Sequence, residues 1–392
     1  MVTSANLKDV GDRWEYAGHA ERLAILLTLR DLLLPRLDRF TPVKEIAQIG
    51  AAIGREFGYE LIAAVAPHAK PELDQALAPL TASGLAFQQG TPPAAVYTFK
   101  HALVQDAAYD SLLRRRRQEL HDKIARVIEQ HYPTIEATEP ELLAHHYTEA
   151  KQPRAIQLWQ QAGGLALRRM ALTEAIAHLN KGLGLVAVLP CSADRDSKEL
   201  SLRTLLGTAW IGLRGWASQE VWDALYPALG LANSLRRNDA LVATLFGLWA
   251  NTFTRGRVAE SLCWFRQTLD AAEAYGDPVL QILGHYTAVV NYFYLGDLIS
   301  ARHHADHLLT LYAEERHGHL MGVIHQDPKT VGLAYAAHLT WLSGYAHASI
   351  CGSRKCRKQL AHVAERKRAV RLARKRRFDR RVCPSGRRVF PS

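Results

Sequence analysis

Apolar positions recur at helical spacing through most of this chain, and two short stretches interrupt that pattern with a β-like alternation. Residues 1–40 form an N-terminal segment in which residues 21–34 predict one helix. Three more short helices follow, each closed by a glycine or a proline. Residues 85–88 and 96–99 then read as strands joined by a Gly- and Pro-rich turn. Three helices and a small hairpin are the order of a winged-helix module, which we predict at residues 41–100.

A winged helix is related to the helix-turn-helix, so its third helix must be examined as a DNA-reading element. Such a helix should present basic and polar side chains to the groove. The third predicted helix instead carries Glu72 and Asp74 where phosphates would lie. The sequence therefore argues against DNA binding through this face.

The second half of the chain is helical and repetitive. Residues 101–139 predict linking helices, and residues 140–350 predict paired helices. Phe253, Phe293 and Trp341 each begin an aromatic-x-x-Gly ending. A weaker copy of this ending occurs earlier, at Gly215. The spacings between the glycines at positions 215, 256, 296 and 344 are 41, 40 and 48 residues. A glycine at each turn permits the reversal between antiparallel helices. The predicted fold is therefore mostly α, a winged-helix-like module followed by an α-solenoid of tetratricopeptide-like hairpins.

Composition places the chain among globular proteins. Hydrophobic residues make up 48% and charged residues 22% of its 392 positions. No apolar run reaches the roughly 18 residues that a membrane helix needs, and no secretory signal is visible. Five cysteines in a chain of this length define no disulfide framework. These features predict a cytoplasmic protein without membrane contact.

The positive charge is concentrated at the C-terminal end. Residues 353–392 hold 16 Lys+Arg and two acids, a net charge of +14, while the remainder is net −3. We predict a basic, disordered tail over residues 351–392. Such a block attracts nucleic acid, and an alternative is a solvated extension with no partner. The candidate nucleic-acid contacts are Arg366, Lys367, Arg368, Arg374, Lys375, Arg376 and Arg377.

The tail also breaks the repeat pattern. After Gly344 the pattern calls for an amphipathic second helix, but only a thin apolar stripe follows before the arginine tract. The last hairpin therefore looks incomplete. One hypothesis is a change of coding frame near residue 350, which translation of the other frames of the source DNA would test.

Three stretches of this sequence resemble a known family: residues 49–57 (IGAAIGREF), residues 97–109 (YTFKHALVQDAAY) and residues 141–147 (ELLAHHY). They are similar to the region after the ATPase core in large bacterial signalling proteins. Those proteins join a class III adenylate/guanylate cyclase domain, an AAA-like (STAND-type) ATPase and tetratricopeptide-like repeats. The resemblance covers about residues 22–350. It implies a winged-helix-like clasp that packs on the ATPase core, and repeats that sense a ligand or partner.

The resemblance carries over no catalytic or cofactor-binding residue. This chain contains no G-x-x-x-x-G-K-[ST] phosphate loop, and the cyclase domain of the family lies before the matched part. We therefore expect a non-catalytic interaction or regulatory module without a cofactor. The partner would be a protein, and an alternative is a subunit that acts in trans with a separately encoded cyclase–ATPase.

Two sets of side chains are candidates for binding in the repeat region. His303, His304 and His307 lie close together on one predicted helix, but no acid or cysteine completes a zinc ligand set, so we predict a polar face and no metal. The tryptophans of the repeats should mostly form the core, while some line a groove in which a helix or peptide docks. The candidate interaction residues are Trp216, Trp249, Trp264 and Trp341.

Overall fold

The structure is a computed structural model of the whole chain, which divides into two compact units, residues 1–162 and residues 163–392. It describes residues 7–9, 14–16, 41–345, 347, 349–359, 361, 362 and 365. The helix predicted at residues 21–34 lies outside the described residues. The first described element is a hairpin in which β1 (Leu7–Asp9) pairs antiparallel with β2 (Trp14–Tyr16).

The first unit contains the three predicted helices, the predicted hairpin and one further strand. In chain order these elements are α1 (Thr41–Ile53), β3 (Glu56–Gly58), α2 (Tyr59–Val65), α3 (Lys70–Ala82), β4 (Ala86–Gln89) and β5 (Val96–Phe99). The strands form an antiparallel sheet in the order β3-β5-β4. Strand β3 was not predicted, because three residues are too few to show an alternating pattern.

Strand β3 is held by the packing of one aromatic side chain. The ring of Phe57 stacks on Tyr97, with ring centroids 5.7 Å apart, and lies 5.5 Å from the ring of Phe99. A Cβ atom at Gly50 would stand only 2.7 Å from the Phe57 ring. Glycine at position 50 of α1 therefore makes room for the sheet to pack on the helix.

The exposed face of α3 is acidic. Glu72 and Asp74 are both exposed, and Glu72 lies 3.5 Å from the ring nitrogen Nδ1 of His68. This charge opposes the approach of a phosphate backbone, as the sequence indicated.

The first unit continues with α4 (Ala102–Asp110), α5 (Arg114–His131), α6 (Ile135–Thr138) and α7 (Pro140–Glu149). The four arginines at 114–117 form the first turn of α5. Arg115 pairs with Glu119, and Arg116 pairs with Glu45 of α1. These arginines thus belong in part to ion pairs on the surface.

Helix α8 (Arg154–Arg168) contains the division between the units. The second unit then holds helices that pair in sequence: α9 (Leu172–Ala187), α10 (Ala193–Arg214), α11 (Gln219–Ser234), α12 (Asn238–Thr254), α13 (Val258–Tyr275), α14 (Pro278–Tyr294), α15 (Leu298–Leu311), α16 (Glu314–His317), α17 (Leu320–Ile324) and α18 (Pro328–Leu342). The described residues are mostly helical, and this unit forms an α-solenoid. The sequence predicted the solenoid over residues 140–350, and the first helix of that range, α7, belongs to the first unit. None of the described helices is both long and apolar enough to cross a bilayer.

Successive hairpins pack through their first helices, so that α10 contacts α12, α12 contacts α14 and α14 contacts α18. The turn glycines behave as predicted, with φ of +79° at Gly256 and +83° at Gly296. A side chain there would be strained in the left-handed region. Close helix contacts use glycine as well: Gly247 of α12 and Gly207 of α10 both face Leu225 of α11.

Residues 349–359 are helical, although the sequence predicted a disordered tail from residue 351. The hydroxyl of Ser349 donates to the carbonyl of Ala337 at 2.9 Å, and the thiol of Cys356 lies 3.6 Å from the carbonyl of Thr330. The residue between them on this face, Gly352, lies against Ala337. Small residues thus pack a second helix against α18, in the hairpin that the sequence analysis described as incomplete.

Candidate protein-interaction surface

Two of the four candidate tryptophans belong to the core. Trp249 is 5% exposed and Trp264 is 6% exposed. The indole N–H of Trp264 donates to the hydroxyl of Thr252 at 2.9 Å, and that of Trp249 donates to the side-chain carbonyl of Asn291. Because their polar atoms are satisfied inside the unit, these residues do not face a partner. Their assignment as interaction residues was wrong.

Trp216 lies in the turn between α10 and α11 and is half-buried. Its ring meets Phe246 edge-on, with centroids 5.6 Å apart, and lies 6.4 Å from the ring of His325. Its carbonyl accepts a hydrogen bond of 2.6 Å from the side-chain amide of Asn251. Trp216 therefore links the turn to the face formed by α12.

The segment 312–327, which includes α16 and α17, covers that face. Leu320 and Ile324 are buried in the same core cluster as Phe246, Trp249 and Tyr286, and the hydroxyl of Tyr286 donates to the side-chain carbonyl of Gln326. This segment therefore packs on α12 and α14 through its own apolar side chains. The spacing of 48 residues before Gly344, against 40 in the preceding repeat, reflects this inserted segment.

Both ends of the inserted segment are tied together. The hydroxyl of Tyr312 donates to one carboxylate oxygen of Asp327 at 2.8 Å. The other carboxylate oxygen of Asp327 accepts from the backbone N–H of Thr330 at 2.9 Å and caps α18. The insertion is thus a closed loop that is anchored where it enters and where it leaves.

Among the four candidate tryptophans, Trp341 alone is largely exposed, at 57%. The equivalent aromatic residues of the two preceding repeats are covered by the next hairpin: Phe253 lies 5.2 Å from Tyr294, and Phe293 lies 5.0 Å from Tyr335. Because the hairpins repeat in register, their turns lie along one edge of the array. We call the exposed apolar residues there the aromatic edge: Tyr294, Leu295, Trp341, Leu342 and Tyr345.

The histidines of α15 form a cluster with a residue that the sequence analysis missed. Nδ1 of His304 lies 2.9 Å from Nδ1 of His285 on α14, and the rings of His285 and His307 stack with centroids 5.1 Å apart. Burial, together with the neighbouring histidines, lowers the pKa of both His285 and His304 to about 4. His285 was missed because 18 residues separate it from His304 in sequence. Within the described part of the chain, no three His, Cys, Asp or Glu side chains are arranged to hold a metal ion.

The seven tail residues predicted to contact nucleic acid lie outside the described residues. These are Arg366, Lys367, Arg368, Arg374, Lys375, Arg376 and Arg377.

No family model matches this chain. Among curated proteins, it is similar to an uncharacterised protein of Rhizobium meliloti (strain 1021), with 25% identity over 330 residues. Those residues are 81% of this chain but 31% of that protein. The chain therefore spans less than a third of the length of the relative that it matches.

Two solved structures are similar in fold. One is a Signal Transduction ATPase with Numerous Domains (STAND) protein with a tetratricopeptide repeat sensor from Pyrococcus horikoshii, with a TM-score of 0.41 and 11% identity over 85% of this chain and 53% of that chain. The other is the apo form of RapI, with a TM-score of 0.44 and 14% identity over 83% of this chain and 76% of that chain.

Proposed function

We propose that this chain is a non-catalytic protein-interaction and regulatory module. In this proposal residues 41–100 are a winged-helix-like clasp, and the module corresponds to the region after the ATPase in cyclase-coupled STAND-type proteins. The observation that carries the proposal is the aromatic edge, an exposed apolar strip on a stack of helical hairpins. Apolar strips of this kind mark interaction sites. The match to part of a much longer relative supports a role within a larger assembly.

The proposed partner is the ATPase or cyclase core of such a signalling protein, encoded in the same or a separate chain. The test is co-purification with a tagged core protein. Trp341→Ser and Tyr294→Ser should each weaken capture, because they remove exposed aromatic area. Val188→Ser is the matched control, since Val188 is an apolar residue that is 81% exposed but lies away from this edge. Equal capture by all three variants would contradict docking through the aromatic edge.

The absence of catalysis is part of the proposal and has its own test. The purified chain should hydrolyse ATP and form cyclic nucleotide no faster than a heat-denatured sample, with Mg²⁺ or Mn²⁺ present. Turnover above that background in either assay would replace the interaction module by an enzyme.

A second candidate function is nucleic-acid binding through the C-terminal residues, and the net charge of +14 over residues 353–392 favours it. Binding of this kind weakens steeply with salt, because each neutralised phosphate releases counterions. Removal of residues 366–392 should then abolish binding to a mixed-sequence duplex. Unchanged affinity of the shortened chain would exclude the tail as the site.

A further inference from the structure

A small polar cleft lies where the turn between α12 and α13 meets the start of α11. Its volume is about 210 Å³, and it is lined by Gln219, Trp222, Asn251, Thr252, Arg255 and Arg257. Two of these six residues are cations and none is an acid. The aromatic edge includes none of them, so the following inference does not rest on the proposed function.

Arg255 supplies the free positive charge of the cleft. Its Nε donates to the carbonyl of Ala217 at 2.8 Å, and Nη2 donates to the side-chain carbonyl of Gln219 at 3.0 Å. Both acceptors are neutral, so they orient the guanidinium without cancelling its charge. Arg257, by contrast, pairs with both carboxylate oxygens of Glu260, at 3.0 Å and 2.7 Å.

Asn251 supplies a hydrogen-bond acceptor that the described protein does not use. Its Nδ2 donates to the carbonyls of Trp216 and Ser218, at 2.6 Å and 2.8 Å, which fixes the orientation of the amide. Its Oδ1 is buried and has no partner among the described residues, and the residue is only 1% exposed. A buried acceptor without a donor costs free energy, so buried acceptors in proteins are normally hydrogen-bonded.

In the next repeat, the equivalent side-chain carbonyl accepts hydrogen bonds from other residues of the chain. Asn291 occupies in α14 the position of Asn251 in α12. Its Oδ1 accepts from the indole of Trp249 at 3.2 Å and from the hydroxyl of Ser261, the fourth residue of α13, at 2.8 Å. The residue of α11 at the same separation from Asn251 is Val221, which is buried and has no hydroxyl to donate. The carbonyl of Asn291 is thus hydrogen-bonded within the protein, whereas that of Asn251 has no partner among the described residues.

We propose that this cleft binds a ligand with a carboxylate and a nearby N–H group, the chemistry of a free α-amino acid or of the C-terminal residue of a peptide. The carboxylate pairs with the guanidinium of Arg255, and the N–H donates to Oδ1 of Asn251. These two residues are one helical turn apart, so their side chains share a face. The volume of the cleft equals that of about seven water molecules, which is enough space for one residue of this kind. Trp222 forms the apolar wall for its side chain.

The test is isothermal titration of the full chain with three sets of probes. The first set is the twenty free amino acids. The second is a set of N-acetylated tetrapeptides that vary at the last residue, and the third is the same peptides with an amidated C-terminus. We expect binding by free amino acids or by free-carboxylate peptides, and none by the amides. Binding by the first set would identify the ligand as a free amino acid, and binding by the second would identify it as the C-terminus of a peptide.

Variants assign any binding to the cleft. Arg255→Met should weaken it about tenfold or more, since a charge-assisted pair is lost. Arg255→Lys should restore it only in part, because lysine lacks the forked geometry. Arg266→Met, at an exposed position on α13 outside the cleft, should bind as the wild type does. Circular dichroism checks that each variant is folded. Binding that survives amidation or Arg255→Met, or no binding by any probe at millimolar concentration, would overturn the proposal.

Discussion

The indole N–H of Trp249 on α12 donates to the side-chain carbonyl of Asn291 on α14 at 3.2 Å, and so joins two successive hairpins through a buried polar contact. The same carbonyl accepts from Ser261 on α13. One amide thus bonds with two helices of the preceding repeat. The polar contact fixes the register of α14 on its neighbours, which apolar packing alone would specify less strictly.

Replacement of Asn291 by alanine should destabilise the second unit. The change leaves the buried Trp249 indole without an acceptor, and loss of a buried partner costs about 1–3 kcal/mol. The measurement is the free energy of unfolding from urea titration followed by tryptophan fluorescence. Asn180→Ala is the control, since Asn180 is exposed on α9. A similar effect of both variants would show that the buried hydrogen bonds do not stabilise the array.

The inserted segment 312–327 should contribute to stability as part of the core. Ile324→Ala should lower the free energy of unfolding by about 2–5 kcal/mol, because it opens a cavity beneath α17. The neighbouring Val323 is 37% exposed, whereas Ile324 is 1% exposed. Val323→Ala should therefore cost much less. Equal effects of the two substitutions would mean that the segment does not pack on α12 and α14 in solution.

The sequence predicted the repeats well because their turns depend on local chemistry. Gly256 and Gly296 adopt positive φ where the predicted helix pairs reverse, and the aromatic-x-x-Gly endings lie at those turns. The inserted segment before Gly344 was not predicted, because its packing depends on apolar contacts with distant helices.

Two features of the candidate sites could not be read from the sequence. Trp249 is buried in the same core cluster as Leu320 and Ile324, which follow it by more than 70 positions. The unpartnered carbonyl of Asn251 depends on two backbone carbonyls in the turn after α10. No periodicity encodes either contact, because both arise only when non-adjacent helices meet.

The stability of the second unit should fall as the pH drops below the ordinary pKa of histidine. Burial lowers the pKa of His285 and His304 to about 4, whereas in the unfolded chain it is about 6.5. Between these pH values the unfolded chain binds more protons than the folded chain, so the free energy of unfolding rises with pH. The stabilisation contributed by the two neutral histidines is therefore lost as the pH falls from about 6.5 to 4. The two Nδ1 atoms are 2.9 Å apart, so double protonation would also set two donors against each other.

The measurement is urea unfolding at several pH values from 7.5 to 4.5, again followed by tryptophan fluorescence. The double variant His285→Gln/His304→Gln should show a weaker dependence on pH than the wild type. His338→Gln is the control, because His338 is exposed on α18. A double variant with an unchanged pH dependence would show that other groups govern the loss.

Gly247 and Leu225 offer a test of how closely α11 and α12 approach. A Cβ atom at Gly247 would meet the end of the Leu225 side chain, so Gly247→Ala should destabilise the unit by about 1–3 kcal/mol through overpacking. In a Leu225→Ala background the space is free. There the same substitution should stabilise the helix by up to about 1 kcal/mol, since alanine favours helix more than glycine does. Gly230→Ala on α11, where nothing lies within 4 Å, should show that gain in the wild-type background. A destabilisation by Gly247→Ala that is equal in both backgrounds would show that the two residues are not in contact.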